Sequence, residues 1–211
     1  HEVVGVKTKD KTYSARYIAI STGGVASPET GSTGDGFNFL KKLGHTIHKP
    51  SPNIVPLKTN AIWIHRLSGL SLSFMKIRFI QDGKTKVTKT GKILFTHFGI
   101  SGPLILNAAH EVIKLLDKGP VEASIDCFPD TTFDDLEKRI LKLFNQNQTK
   151  LFKNVIHELI PKQFAAELFA KHGDIKINTI TKEERKQILH TLKDLRFPIT
   201  GTQGWDWAVI A

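Results

Sequence analysis

The stretch Phe95-Thr96-His97-Phe98-Gly99-Ile100-Ser101-Gly102-Pro103 joins an imidazole, a hydroxyl and two glycines within a few positions. An imidazole exchanges protons near neutral pH and so serves as a general acid or base. The pattern predicts a strand that delivers His97, a glycine turn, and a helix beginning near Pro103 with Ser101 as its cap. The free N–H groups of such a first helical turn, with the helix dipole behind them, can bind an anion or polarise a carbonyl. His97 and Ser101 are therefore the candidate catalytic residues and Gly102 the candidate substrate contact. A purely structural role suits the same residues: a capped helix, and a histidine filling the end of a barrel.

A second candidate lies near the start. Ile18-Ala19-Ile20-Ser21-Thr22-Gly23-Gly24 is an apolar run ending in a glycine pair, and Gly31-Ser32-Thr33-Gly34-Asp35-Gly36-Phe37 follows it. Glycines placed so allow backbone to lie against something that a Cβ would exclude. A nucleotide cofactor is one such object, because N–H groups at a helix start suit phosphate. Two tight turns with positive φ are the other explanation. Asp35 could bind a ribose or simply stabilise its turn.

Other chemistries lack their residues. The single cysteine, Cys127, excludes an internal disulfide, and no Cys/His cluster has the spacing of a metal site. Neither a Gly-x-Ser-x-Gly elbow nor a P-loop is present. No apolar run reaches the length of a membrane span, and no signal peptide is visible. A thiol-keeping, cytoplasmic setting is expected. The net charge of +10 favours polyanions, but the lysines are spread along the chain, as on a solvated surface. The chain starts at His1 and ends on an apolar run, as an internal piece of a longer protein would.

The elements that must position these residues follow from periodicity. Residues 2–8 and 12–20 predict a hairpin, and 37–43 a helix stopped by Gly44. Candidate strands lie at 54–57, 72–80, 85–89, 92–98 and 121–128, with Asp82-Gly83 as a hairpin turn. One helix, 103–116, interrupts them. From Thr131 the period becomes helical: Leu136, Ile140, Leu143 and Phe144 share a face, as do Leu151, Val155, Ile156 and Leu159. A third helix is expected from Pro161 to Lys171. A fourth follows the capping box Thr181-Lys182-Glu183-Glu184. The end, 199–211, is expected to be extended, with Trp205 and Trp207 on one face of a strand.

Taken with Leu43-Gly44-His45 and Pro52-Asn53-Ile54-Val55-Pro56-Leu57, both glycine motifs and the His97 stretch resemble, in order, one group. They are similar to bacterial FAD-dependent oxidoreductases of the aminoacetone-oxidase or YhiN/BaiN-like family. The resemblance covers the whole chain and is tightest through Pro103. It implies an α+β fold: a small β-barrel at 52–130 and a helical subdomain at 131–198, inserted into an FAD-binding α/β domain. Residues 1–51 and 199–211 would belong to that α/β domain. Thr22, Gly23 and Gly24 would lie beside FAD, with Gly34 and Asp35 in the second turn. Ser21 stands where alanine is usual.

The family's Gly-x-Gly-x-x-Gly fingerprint for the FAD pyrophosphate is not in this sequence, so the chain as given is expected not to retain FAD. The intact protein would be an oxidoreductase linked to NAD(P)H or oxygen, with a small-molecule substrate. The rival reading is a basic module that grips RNA or another polyanion. The two coexist if the flavoenzyme reduces a base in RNA.

Overall fold

The chain folds as two units, each with most of its contacts within itself, in the computed structural model, which describes residues 3–210. The first unit holds the chain up to Asn53 and the stretch from Gly204 onward. Its hairpin is short. Strands β1 (Gly5–Lys7) and β2 (Thr12–Ser14) pair antiparallel, with Gly5 opposite Ser14. The predicted second strand stops at Ser14, because residues 15–24 find no strand partner among the described residues; Tyr17 is 93% exposed. Glu2, at the start of the predicted hairpin, lies outside the described residues.

Helix α1 (Asp35–Lys42) begins two residues earlier than predicted. Gly34 precedes it at φ 81° and Gly44 follows it at φ 91°, both in the left-handed region that glycine enters without penalty. The predicted terminal strand is corrected. Trp205–Trp207 is a 3-10 turn after Gly204 at φ 78°, so the two tryptophans do not share a strand face. Ile199 and Gly201–Thr202 are strand as predicted, and from Gly204 onward the β pairing among the described residues is an isolated bridge, Asn53 to Ile210.

The second unit, Ile54–Gln203, is built on a sheet. Its elements are β3 (Leu57–Lys58), α2 (Ile62–Arg66), β4 (Ser71–Gln81), β5 (Lys84–Thr96), β6 (Gly99–Ser101), α3 (Pro103–Leu116), β7 (Val121–Asp126), α4 (Phe133–Gln146), α5 (Lys162–Leu168), α6 (Lys182–Lys193), β8 (Leu195–Ile199) and β9 (Gly201–Thr202). The seven strands run antiparallel in the order β8-β7-β4-β5-β6-β3-β9. Asp82 and Gly83, at φ 52° and 69°, close the β4–β5 hairpin in the doubly left-handed turn that matches strand twist. The predicted strands 85–89 and 92–98 are one continuous β5, passing through Gly91. A Cβ at Gly91 would sit 3.3 Å from Leu104 Cβ, so glycine there lets α3 lie on the sheet.

The class is mixed α+β, and the ladder of the described residues does not close into a hydrogen-bonded barrel. Its edges, β8 and β9, are nevertheless consecutive in the chain with only Thr200 between them. Thr200 N–H donates to Lys58 O at 2.9 Å, and Thr59 Oγ1 donates to Pro198 O at 2.6 Å. A sheet whose two edges follow one another so closely must be strongly curled.

One hydrophobic core runs through sheet and helices, with Phe79, Phe95, Phe152 and Phe164 fully buried. Helix α4 buries Leu136, Ile140, Leu143 and Phe144, the face its periodicity marks, and Thr132 caps it. The predicted helix over 151–159 is instead two 3-10 turns, Phe152–Asn154 and Ile156–Glu158. Thr181 and Glu184 form the capping box of α6 in full.

Candidate functional site

In the first unit the two glycine motifs meet. An ideal Cβ on Gly36 would lie 2.3 Å from Thr22 Oγ1, one on Gly23 2.7 Å from Ser32 Oγ, and one on Gly34 2.8 Å from Val25 Cγ1. Gly23 and Gly34 also hold φ of 73° and 81°. The space left by these three glycines is filled by the chain's own side chains. Gly24 differs, since nothing lies within 4 Å of its Cβ position. Of the Thr22-Gly23-Gly24 motif, Gly24 is thus the residue that leaves room for an outside group. Thr22 and Gly23 are exposed.

Asp35 starts α1 and accepts from Thr33 Oγ1 at 2.9 Å. A carboxylate in the first turn already satisfies the helix dipole and repels phosphate. Its chemistry suits hydroxyl groups, such as those of a ribose, and it braces its own turn meanwhile. An open cleft of about 530 Å³ borders the same segment, between β1, residues 18–22 and the Phe39 and Leu43 face of α1.

The His97 stretch folds differently from its prediction. His97 and Phe98 form the turn between β5 and β6, where the His97 ring meets Phe98 edge-on at 4.9 Å. His97 is exposed, so it does not fill a barrel end. Thr96 Oγ1 donates to Gly99 O and accepts from Gly99 N–H, which fixes the turn. Strand β6 then separates His97 from α3. The residue before α3 is Gly102, not Ser101, and no side chain caps the helix. Ser101 sits on β6 opposite Leu94, which corrects the predicted cap. Gly102 has φ 91°, and its Cβ would lie 3.0 Å from both Leu94 N and Lys92 O. Its glycine is demanded by the close approach of β5. His97 is exposed at its turn, whereas Gly102 packs closely against β5.

Polar groups of the second unit that periodicity does not reveal are mostly structural. Lys193 Nζ donates to Asp126 Oδ2, Phe128 O and Thr131 O, at 2.7, 2.8 and 2.8 Å. Burial, aided by Asp126, pushes the Cys127 thiol up to about 12, which leaves it inert at neutral pH. Burial opposes ionisation of Asp194, but hydrogen bonds from Ser124 and Arg196, with the charges of Arg196 and Arg78, hold its carboxyl below the usual range. Among the described residues no group of three or more His, Cys, Asp and Glu could hold a metal ion. No helix of the described residues is long and apolar enough to cross a membrane.

One further feature is missed by periodicity. Phe74 on β4 is 76% exposed and has φ 58°. Its signal in sequence is a large aromatic out of phase with the buried series Ile77 and Phe79.

The sequence pattern of the HI0933-like protein barrel and H2TH domain matches residues 51–210. The chain belongs to this family. That is the YhiN/BaiN-like group which the motifs resemble. Over 204 residues the chain is 25% identical to the ribosomal RNA dihydrouridine synthase of Haemophilus influenzae, covering 94% of this chain and 47% of that one. It is 22% identical over 201 residues to the Escherichia coli protein of the same name, covering 94% and 48%. It is 20% identical over 213 residues to the 3-dehydro-bile acid delta(4,6)-reductase of Clostridium scindens, covering 97% and 51%. The chain spans about half the length of the curated relatives it matches.

Proposed function

We propose that this chain belongs to a flavin-dependent reductase whose substrate is a pyrimidine base in RNA. The observation that carries the reading is the match along 94% of the chain to proteins named as ribosomal RNA dihydrouridine synthases. The net charge of +10 supports it, since a positive field attracts a polyanionic substrate. In this reading, residues 1–51 and 199–211 contribute to a flavin-binding domain. The inserted barrel and helical subdomains, 52–130 and 131–198, hold the RNA.

Bound FAD would supply the hydride for one carbon of the base's C5=C6 double bond, drawn in turn from NAD(P)H. Thr22, Gly23 and Gly24 would hold it, with Gly24 open to its close approach and Asp35, beside Gly34, suited to a hydroxyl. The second carbon needs a proton. His97, exposed at its turn, is the candidate donor. Ser101 is a weaker candidate, since it stands on a strand with no capping role.

The test is a loss-of-gene comparison. Ribosomal RNA from cells lacking the gene should lose a two-hydrogen mass increase on a uridine, and restoring the gene should bring it back. Unchanged RNA would overturn the RNA reading. The match to a bile acid reductase over 97% of the chain favours a second reading, reduction of a small unsaturated ketone. Turnover of such a ketone with unchanged RNA would select it.

A further inference from the structure

Strand β4 departs from regular pairing at one place. Leu72 faces Ile93 and Met75 faces Gly91, so Ser73 and Phe74 together stand opposite Lys92 alone. This is a β-bulge, and bulges re-aim side chains. Phe74 occupies the left-handed region at φ 58°, where a bulky residue is a genuine outlier. The ring gains no burial in return, being 76% exposed. A glycine or asparagine would take this backbone more easily, and its exposure removes any packing reason for phenylalanine. Strain kept without a structural return points to use.

The surroundings identify the use. Next to Phe74 on the same outer face of the sheet are Lys76 and Arg78 of β4, with Thr88, Thr90 and Lys92 of β5. The acidic neighbours on β7 are already engaged: Asp126 by Lys193 and Glu122 by Arg196. Lys86 and Lys92 are exposed and form no ion pair among the described residues. Arg78 is paired with Asp194 at 3.2 Å and Lys76 Nζ donates to Pro129 O at 3.4 Å, so the uncompensated charge beside the aromatic ring and the hydroxyl donors is that of Lys92, with Lys86 farther along β5. Bases stack on exposed aromatic rings in single-stranded RNA recognition, while lysines track the phosphates.

We propose that the outer face of β4 and β5 is a docking surface for single-stranded RNA, with Phe74 stacking on an unpaired base, Lys92 contacting a phosphate beside it and Lys86 one farther along the strand. The proposal rests on the reading that the substrate is RNA, and adds where and how the RNA is held.

The test is binding of a fluorescently labelled uridine-rich 12-mer RNA to this chain, with its duplex form as a comparison. Phe74→Gly should weaken single-strand binding about 5- to 150-fold, as loss of one base–aromatic stack does. Its melting temperature should stay the same or rise. Phe74→Trp should retain binding. Lys92→Gln and Lys86→Gln should each reduce the slope of log affinity against log salt by roughly 0.7. If the parent chain binds no RNA at low salt, the RNA reading fails and this surface with it. If the parent binds and Phe74→Gly binds equally well, only the stacking surface fails. A marked fall in melting temperature in Phe74→Gly would make the ring structural and overturn the proposal. Equal affinity for duplex and single strand would do the same.

Discussion

Lys193 Nζ lies 2.7 Å from Asp126 Oδ2, with the two side chains only 7% and 8% exposed. This pair ties the end of α6 to the end of β7. All three ammonium hydrogens are used, because Phe128 O and Thr131 O accept the other two. Asp126 in turn accepts from Phe128 N–H at 2.9 Å. Removing one member strands the other charge in the interior. Lys193→Met should therefore cost about 3–5 kcal/mol in urea unfolding. Asp126→Asn combined with Lys193→Met should cost less than the two single changes added together, because they share one interaction. Strict additivity would show that the pair is not coupled.

The start of α3 gives a contrast between neighbours. Ser101 caps nothing, and its side chain forms no hydrogen bond among the described residues, so Ser101→Ala should stay within about 0.5 kcal/mol of the parent. Gly102→Ala meets two penalties, a φ of 91° and Cβ approaches of 3.0 Å to the β5 backbone. It should cost about 1–3 kcal/mol. Thermal unfolding of the two variants decides it, and a larger loss at Ser101 than at Gly102 would restore the capped-helix reading.

These two positions also show what a sequence can convey here. Pro103–Leu116 was legible to the residue, because proline marks a first turn and the apolar period holds to Leu116. The Thr181 and Glu184 box and the Asp82-Gly83 turn were equally plain, each being local chemistry. What failed was set by distant partners. Leu195, Phe197 and Ile199 are buried in alternation, yet they follow a helical stretch directly, and Pro198 hides the strand. Proline is tolerated there because β8 is an edge. Gly102 looks like a turn residue and the strand pattern breaks at Gly91, whereas both glycines serve close packing of α3 and β5. Phe74 was passed over because alternation weighs buried positions, and its meaning lies in being exposed.

Acid should expose the role of Asp194. Its carboxyl is held below the usual range, so the folded state binds its proton less readily than the unfolded chain. That stability is fully present above the ordinary aspartate value near about 4 and is lost as pH falls through the lower folded value. Asp194→Asn should lower stability at pH 7 and flatten the fall of melting temperature between about pH 4 and pH 2. Parallel acid curves for parent and variant would remove Asp194 from the account.

The flavin reading can be separated from the fold by two glycines twelve residues apart, Gly24 and Gly36. Gly36 lies in α1 with ordinary helical backbone, where alanine is intrinsically better by about 1 kcal/mol. A Cβ there nevertheless meets Thr22 Oγ1 at 2.3 Å, and the β-branched Thr22 turns only among a few rotamers. Gly36→Ala should thus disturb the contact between α1 and Thr22. Adding Thr22→Ala should recover the stability and let the helix preference of alanine show. Gly24→Ala meets nothing within 4 Å and has no positive φ, so its fold should be unaffected. If Thr22 to Gly24 borders FAD, Gly24→Ala in the full-length protein should weaken FAD at least tenfold, about 1.4 kcal/mol, with an unchanged melting temperature for the flavin-free form. Flavin fluorescence on release measures the first quantity and calorimetry the second. Undiminished FAD affinity in Gly24→Ala would return this glycine, like Gly36, to packing alone.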